Sequence, residues 1–281
     1  MSPDWCNLNW SDWIPFSAPA EQFRQLSAGP GLYRVRPIGH DLLIYIGQTT
    51  GTGLRRRTRQ LAVNTVKEEM PWNGPHRGAP CLWAWADAED WEYEVSGTSS
   101  VLDSKNIQGL EAMLFWKYRT ERSQSSLCNH HKFHEDYVRP KHRKFGIRGG
   151  RLPYGEKNPK GGLSWPALQI GGEPVDSDWM CVNWSNPVKI MSELNRIDSK
   201  PGVYKIWDED TDYLHYIGLS INVRSRIAQH STAKDWISKN TICSVYYLPN
   251  DIPNYQLKEI EDDLIGAYFF QKNTIPTYQD F

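Results

Sequence analysis

Two short tyrosine motifs occur twice in this chain, and this repeat constrains the fold more than any other sequence feature. Gly-Leu-Tyr at residues 31–33 and Tyr-Ile-Gly at residues 45–47 return as Gly-Val-Tyr at 202–204 and Tyr-Ile-Gly at 216–218. The two tyrosines are 12 positions apart in both copies, so their spacing is kept as well as their identity. The repeat predicts two copies of one small fold, and 281 residues suffice for two cores.

The composition of the chain limits its setting and its partners. The five cysteines stand singly, without a CxxC pair, which favours a reduced intracellular setting over a disulfide framework. No stretch is apolar enough to cross a bilayer and the N-terminus lacks the pattern of a secretion signal, so we expect a cytoplasmic protein without a membrane partner. With a formal net charge of −1, any binding of nucleic acid must come from local basic patches.

Each copy is predicted to begin with a short helix, a turn and an antiparallel hairpin. Gly-Pro-Gly at 29–31 and Lys-Pro-Gly at 200–202 signal the two turns. The apolar runs on either side of a short polar loop predict two strands, with the tyrosines on neighbouring strands. The expected helices lie at 20–26 and 189–197, and the expected strands lie at 32–36 and 42–46 in the first copy and at 203–207 and 214–217 in the second.

A basic helix follows each hairpin. Residues 53–61 align without a gap on residues 222–230, which places Arg57 opposite Arg226. His230 follows Arg226 by four positions and shares its helix face, whereas the first copy has Leu61 there. A solvated helix face is the alternative interpretation for part of this basic cluster. The other candidate DNA contacts on these helices are Arg55, Arg56, Arg59 and Arg224.

An amphipathic helix late in each copy carries a matched glutamate. Apolar residues recur there at helical spacing, and Glu111 aligns with Glu261 beside the apolar stripe. A carboxylate at such a border requires a cation, which a metal ion or an arginine would supply. Surface pairing with Lys117 or Lys258 is the alternative, and such a pair contributes only about 0.3–0.5 kcal/mol.

Taken in order, the Gly-x-Tyr strand, the Tyr-Ile-Gly strand, the helical arginine, the glutamate and a terminal amide residue resemble the GIY-YIG nuclease superfamily. The resemblance covers nearly all of each copy. It implies α/β (α+β) domains with a three-stranded antiparallel sheet flanked by helices, which hydrolyse DNA phosphodiester bonds with one divalent ion, Mg²⁺ or Mn²⁺, held at Glu111 and Glu261. The catalytic residues it implies are Tyr33, Tyr45, Arg57, Glu111 and Asn129 in the first copy and Tyr204, Tyr216, Arg226, His230 and Glu261 in the second.

Each copy departs from the family pattern at one position. Leu61 stands in the first copy where some members of the family have a histidine. In the second copy Gln279 replaces the asparagine that follows the glutamate by 18 residues, and we expect its longer side chain to alter the edge of the site.

The chemistry of phosphodiester hydrolysis suits these residue types. Glutamate oxygen can bind Mg²⁺ while waters and phosphate oxygens complete the ligand shell, and the planar fork of arginine suits two phosphate oxygens. A tyrosine, with an ordinary pKa of about 10, can act as a base only if nearby cations lower its pKa, and we expect Arg57 and its neighbours to do so. Tyr33 is predicted as general base or proton relay and Tyr45 as the orienting group, with the matching tyrosines in the same parts in the second copy.

Two segments have no counterpart in the other copy. Residues 139–160 carry eight Lys or Arg residues against one acidic residue, Glu156, and they are either a flexible linker or a basic arm that follows the DNA backbone. An insertion of 19 residues near 66–87 includes a predicted strand at 82–86 and a loop at 70–79 that would reach the substrate. The candidate DNA contacts of the basic segment are Arg143, Lys144, Arg148 and Arg151.

The sequence therefore predicts a first domain at 1–138, a basic glycine-rich segment at 139–177 and a second domain at 178–281. The predicted function is metal-dependent cleavage of double-stranded DNA in a restriction or defence role, by both copies or by the first alone. A monomer with an internal pseudo-twofold is one arrangement, and an oligomer remains open. The alternatives are a non-catalytic module that binds DNA or protein, and a nuclease for single-stranded DNA or RNA.

Overall fold

Two compact units make up the part of the chain that the structure describes. The computed structural model describes residues 1–280. The first unit contains residues 1–114 and 125–163, and the second contains residues 115–124 and the chain from residue 164 onward. Each unit combines antiparallel strands with α-helices, so the predicted mixed α/β class is confirmed. Within the described range, no helix is long and apolar enough to cross a membrane.

The first unit is built on a four-stranded antiparallel sheet. Its elements are β1 (Ile14–Pro15), β2 (Gly31–Pro37), β3 (Tyr45–Thr49), α1 (Leu54–Thr65), α2 (Ala79–Glu89), β4 (Tyr93–Ser99), α3 (Ser104–Arg122, which continues into the second unit), β5 (Tyr137–Val138) and β6 (Gly150–Arg151). The strand order is β1-β4-β2-β3, and β5 pairs with β6 in a separate small sheet. Helix α1 buries Leu54, Thr58 and Leu61 on one face, as its apolar spacing requires.

The second unit repeats the main sheet. Its elements are β7 (Val188–Lys189), β8 (Gly202–Asp208), β9 (Tyr216–Ser220), α4 (Val223–Ala233), β10 (Thr241–Tyr247) and α5 (Asn254–Lys272). The strand order is β7-β10-β8-β9, which matches the order in the first unit strand for strand. The predicted three strands are therefore present in both units, but the count of three is wrong. A two-residue strand, too short to leave an alternating pattern, pairs with the outer edge of β4 or β10.

Three local predictions differ from the structure. The predicted helix at 20–26 is only a 3₁₀ turn at Gln22–Gln25, and the one at 189–197 begins on β7 and ends in a 3₁₀ turn at Leu194–Arg196. The predicted strand at 82–86 is wrong, because these residues lie inside α2. Alternating tryptophans suggested a strand there, but Pro80 near the helix start and four alanines favour the helix.

Most of the basic segment is attached to the first unit. Residues 139–163 group with that unit, and β6 pairs Arg151 with Tyr137 of β5. Lys157 forms ion pairs with Glu135 at 2.9 Å and with Asp136 at 2.6 Å. These contacts favour a folded extension of the first unit over a free tether.

One sheet face in each unit encloses a cation among tryptophans. Arg34, 1% exposed, has its guanidinium carbon 4.4 Å from the ring centre of Trp10. Lys205, the matching residue, is fully buried, and its Nζ lies 4.6 Å from the ring centre of Trp184 and donates a hydrogen bond of 2.8 Å to the Pro174 carbonyl. The repeat therefore extends to a tryptophan cage around the residue that follows the first tyrosine.

Candidate active site

The tyrosines of each hairpin lie on the sheet face opposite the tryptophan cage. Tyr33 pairs with Gly47 across β2 and β3, so Tyr33 and Tyr45 stand diagonally on one face, with ring centres 6.0 Å apart. Tyr204 pairs with Gly218 in the same register, and its ring centre is 6.1 Å from that of Tyr216. The equal spacing in the sequence thus produces the same tyrosine pair twice.

The glycine of each Tyr-Ile-Gly motif is required by this packing. A Cβ atom on Gly47 would lie 2.6 Å from the hydroxyl oxygen of Tyr33 and 2.8 Å from the ring of Tyr45. A Cβ on Gly218 would lie 2.5 Å from the hydroxyl oxygen of Tyr204. Only glycine lets the rings lie over the neighbouring strand, so the motif records a close approach of side chain to backbone.

A histidine contacts the first tyrosine in both units. His230 on α4 shares a hydrogen bond of 2.9 Å with the Tyr204 hydroxyl, in agreement with its place on the face of Arg226. In the first unit His76 shares a hydrogen bond of 3.2 Å with the Tyr33 hydroxyl. His76 comes from the insertion just before α2, not from the aligned helix, where Leu61 is buried in the core.

His76 is a site residue that the sequence analysis missed. The sequence has leucine at position 61, where the second copy has its histidine, and no spacing rule connects that position with residue 76. The only signal was the prediction that the loop at 70–79 reaches the substrate. Gly78 also packs on this site, because a Cβ there would lie 2.9 Å from the Tyr45 ring.

The helical arginines lie beside the tyrosines. Arg57 donates a hydrogen bond of 3.3 Å to the Pro75 carbonyl, which connects α1 to the loop that carries His76. Burial dominates the pKa of Tyr33 and the charge of Arg57 acts against it, so the guanidinium group lies near the hydroxyl. In the second unit Arg226 is exposed and donates a hydrogen bond of 3.3 Å to Gln229, and, after the larger effect of burial, its charge acts on the pKa values of Tyr204 and Tyr216. Each arginine can therefore reach an anion at the tyrosine pair.

Burial, not the nearby cations, dominates the tyrosine pKa values. Desolvation raises the pKa of Tyr33 to about 12, although Arg57 acts in the opposite direction. Desolvation also raises the pKa values of Tyr45, Tyr204 and Tyr216. The expectation that basic neighbours bring these pKa values below the ordinary value is therefore wrong, because burial outweighs their charge, and the hydroxyls stay protonated at neutral pH.

The histidines are shifted in the opposite direction. Burial, and then the charge of Arg57, lower the pKa of His76 to about 3. Burial, and then the charge of Arg226, lower the pKa of His230 to about 4. Both imidazoles are neutral at physiological pH, so each has a ring nitrogen that can accept a proton from its tyrosine.

The two glutamates have different surroundings. Glu111 is partly exposed, and its charge raises the pKa values of Tyr33 and Tyr45, so it belongs electrostatically to their cluster. Glu261 is only 9% exposed, and its carboxylate accepts a hydrogen bond of 2.7 Å from Lys258 Nζ. The pairing with Lys258 that the sequence left open is thus present, but Glu261 is buried rather than at the helix surface. Within residues 1–280, no group of three or more His, Cys, Asp or Glu side chains is arranged to hold a metal ion.

The terminal amides bind the backbone of the tyrosine strand. Asn129 accepts a hydrogen bond of 2.9 Å from the N–H of Ile46 and donates one of 2.8 Å to its carbonyl. Gln279 makes the same two bonds to Ile217, both at 3.0 Å. Strands β3 and β9 end their sheets, so each amide completes the pairing of an edge strand. Asn129 therefore positions the strand, and the longer Gln279 leaves this arrangement unchanged, against expectation.

Two of the predicted DNA contacts instead hold the polypeptide chain. Arg55 donates hydrogen bonds to the carbonyls of Leu26 at 3.1 Å and Arg24 at 3.0 Å. Arg224, its aligned partner, donates to the carbonyls of Ile197 and Asn195. These guanidinium groups fix the loop before each first strand, so their donors are largely used inside the protein.

Other predicted contacts line two cavities of the first unit. Arg56 and Arg59 are exposed on α1 and border a basic cavity of about 510 Å³. Arg143 and Arg148 border a larger cavity of about 820 Å³ with Trp72, and Arg148 stacks on that ring at 4.5 Å while pairing with Glu69. Away from these cavities, Lys144 lies over the ring of Phe145 and Arg151 over that of Tyr137.

Both units thus present two tyrosines, a neutral histidine, an arginine and a glutamate around one end of a hairpin. Comparison of the chain with protein-family models, with curated proteins and with solved structures finds no significant match.

Proposed function

We propose that this chain is an endonuclease of the GIY-YIG type, which hydrolyses phosphodiester bonds of duplex DNA with the help of a divalent ion. The observation that carries the proposal is the tyrosine–histidine hydrogen bond beside an arginine, which occurs in both units although the histidines come from different elements. Core packing alone does not require a histidine at this hydroxyl, so its presence in both units, on unrelated segments, favours a functional role. The proposal includes the interpretation of the two units as tandem copies of one domain.

The arginine is the group that binds the scissile phosphate. The planar, positively charged fork of Arg57 matches two phosphate oxygens. The extra negative charge of the phosphorane-like transition state strengthens this contact, so it accelerates the reaction rather than only binding the substrate. The same geometry applies to Arg226 in the second unit.

The tyrosine and histidine move a proton together. When His76 carries its hydrogen on Nδ1, its Nε2 accepts the hydrogen bond of the Tyr33 hydroxyl. The hydroxyl can then accept a proton from the attacking water while passing its own to His76, so no tyrosinate is required. A bound phosphate offsets the charge of Arg57, which raises the pKa of His76 from its value in the free protein.

The residues of the first unit fit a divalent ion. Glu111 offers carboxylate oxygen at the edge of the tyrosine cluster and is accessible to solvent, which suits Mg²⁺ or Mn²⁺ held by one carboxylate, waters and substrate phosphate. The ion, when bound, would stabilise charge on the phosphate and activate water. The other groups bind, orient and accept protons without it.

Duplex DNA is the proposed partner because the first unit exposes basic side chains at two cavities, one of which is lined by Gly74 and Pro75 of the loop that carries His76. Arg56 and Arg59 border one cavity, and Arg143 and Arg148 border the other. A role in restriction or defence is proposed by analogy with the resembled family.

Incubation with supercoiled plasmid, single-stranded circles and RNA tests the proposal, each with and without Mg²⁺ or Mn²⁺. We expect cleavage of the plasmid that requires the ion. Tyr33→Phe retains the aromatic packing but loses the proton path, and it should slow cleavage by about 10²–10⁴-fold. If none of the three substrates is cut, the nuclease proposal fails, and cleavage confined to single strands or RNA would replace the proposed substrate.

A further inference from the structure

The carboxylate of Glu261 is already bound by an internal cation. Lys258 lies three positions earlier on the same helix, and its Nζ is 2.7 Å from one oxygen of Glu261. The same Nζ is 3.1 Å from Asp262, so one ammonium group bridges two neighbouring carboxylates. A cation of the protein itself therefore already occupies an oxygen on which a divalent ion would depend.

The first unit carries uncharged side chains at the two aligned positions. Gln108 stands where the second unit has Lys258, and Ala112 stands where it has Asp262. The glutamates align without a gap, so the differences lie at the same helical positions relative to each glutamate. The lysine of the second unit adds a positive charge beside the glutamate, where the glutamine of the first unit is neutral. This is the position at which the first unit is proposed to bind a metal ion.

We propose that Lys258 occupies the place of the divalent ion in the second unit, so that this unit binds a DNA phosphate without cutting it while the first unit alone binds the ion. The proposal rests on the nuclease function proposed above. A lysine ammonium supplies a compact positive charge for the carboxylate, but it offers no exchangeable water and no open ligand position.

Displacement of Lys258 by a metal ion is unfavourable for a physical reason. Glu261 and its lysine are on one helix, so no loop movement can carry the ammonium away. A divalent ion at Glu261 would face a positive charge held within bonding distance of the same oxygen, and like charges in a buried setting repel strongly. The ammonium group therefore opposes binding of the ion wherever its ion pair with Glu261 is formed.

The consequence is a division of work between the copies. The second unit retains the tyrosine pair, His230 and the exposed Arg226, which together can bind a phosphodiester group. One metal-binding unit per chain cuts one strand per binding event, so the first product from a supercoiled plasmid is a nicked circle. Two metal-binding units would allow linear product from the same encounter.

Titration of the full chain with Mn²⁺ tests the proposal apart from any cleavage. Binding is measured as the loss of the electron paramagnetic resonance signal of the free ion. Glu111→Gln removes the first site, and in that background we expect no Mn²⁺ at the second. The double variant Glu111→Gln, Lys258→Gln gives the second unit the glutamine of the first, and it should gain about one equivalent of Mn²⁺. Circular dichroism and thermal unfolding show that each variant is folded.

Two results would overturn the inference. One is about one equivalent of Mn²⁺ on Glu111→Gln that disappears when Glu261→Gln is added. The other is a folded double variant that gains no ion. Neither depends on cleavage, so a protein that cuts no nucleic acid would contradict the proposed function while leaving the exclusion of metal by Lys258 to be decided by the Mn²⁺ titration.

Discussion

The two units place the same tyrosines and the same arginine on matching strands and helices, but they complete the site by different means. The first takes its histidine from an insertion and the second takes it from the helix that carries the arginine. The amide clamp, the side chain that binds the backbone of the edge strand, is Asn129 in the first unit and Gln279 in the second. The surroundings of the glutamate differ more than these groups do, because only the second unit has a lysine three positions before it on the helix.

These differences separate geometry from chemistry. In both units an amide side chain binds the backbone of the second tyrosine strand, and a histidine binds the hydroxyl of the first tyrosine. The sheet and the tyrosines therefore determine where the amide and the histidine lie, but not which segment of the chain supplies them. The lysine at Glu261 changes the charge beside the carboxylate. Under the proposal, one copy of a repeat keeps its fold and its anion-binding groups while it no longer binds a metal ion.

The largest expected contrast between the units is at the arginines. Arg57→Ala removes the phosphate contact from the proposed cutting site, and we expect cleavage to fall by about 10²–10³-fold. Arg226→Ala should mainly weaken DNA binding, with a change of about tenfold that grows smaller at high salt. Plasmid cleavage and fluorescence anisotropy on labelled duplex measure the two effects. Equal loss of cleavage in the two variants would mean that both units cut.

The histidine from the insertion gives the next contrast. His76→Asn removes the proton acceptor of Tyr33, and we expect cleavage to slow by about 10²-fold with little change in DNA affinity. His40→Asn, an exposed histidine of the same unit, is the matched control. An unchanged rate for His76→Asn would show that the Tyr33 contact is structural only.

Removal of either amide side chain should have the same effect on stability in the two units. Asn129→Ala and Gln279→Ala each leave the N–H and the carbonyl of an edge strand unpaired, and we expect each to lower the free energy of unfolding by about 1–3 kcal/mol. Urea unfolding followed by tryptophan fluorescence measures the change. If either variant loses cleavage without losing stability, the amide has a catalytic part that the geometry does not assign.

The smallest predicted effect distinguishes the two tryptophan cages. Burial lowers the pKa of Lys205 to about 7 and that of Arg34 to about 10. Between pH 7 and 9 the unfolded chain therefore holds a proton that folded Lys205 releases, so the unfolding free energy rises with pH, by at most about 1.4 kcal/mol per pH unit. Lys205→Met should flatten this slope, whereas Arg34→Met should not change it in that window. A slope that survives Lys205→Met would contradict the assignment.

The repeated features of the fold and site were predictable from the sequence because regular spacing encodes them. The hairpins, the tyrosine pairs and the placing of Arg57 opposite Arg226 follow from period and alignment. His76 and α2 were not predictable, since an insertion has no second copy to compare and its tryptophans alternate inside a helix. The spacing of Asn129 located the residue correctly, but spacing cannot distinguish a side chain that touches substrate from one that binds backbone.

The tyrosine pKa values show a second limit of sequence reasoning. The arginines near Tyr33 suggested a lowered pKa, yet burial on the sheet raises it to about 12. Depth of burial depends on how α1 and the insertion cover the tyrosine pair, and neither is encoded in the motif. The same burial makes the neighbouring histidine neutral, so the proposed proton path passes through two residues rather than one.

Cleavage of supercoiled plasmid by the wild type and by Glu111→Gln tests the central claim most directly. We predict cleavage that requires Mg²⁺ or Mn²⁺, nicked circles before any linear form, and a loss of about 10³-fold or more in the variant. Absence of cleavage by the wild type, or a Glu111→Gln variant that still cuts at the wild-type rate, would contradict the account.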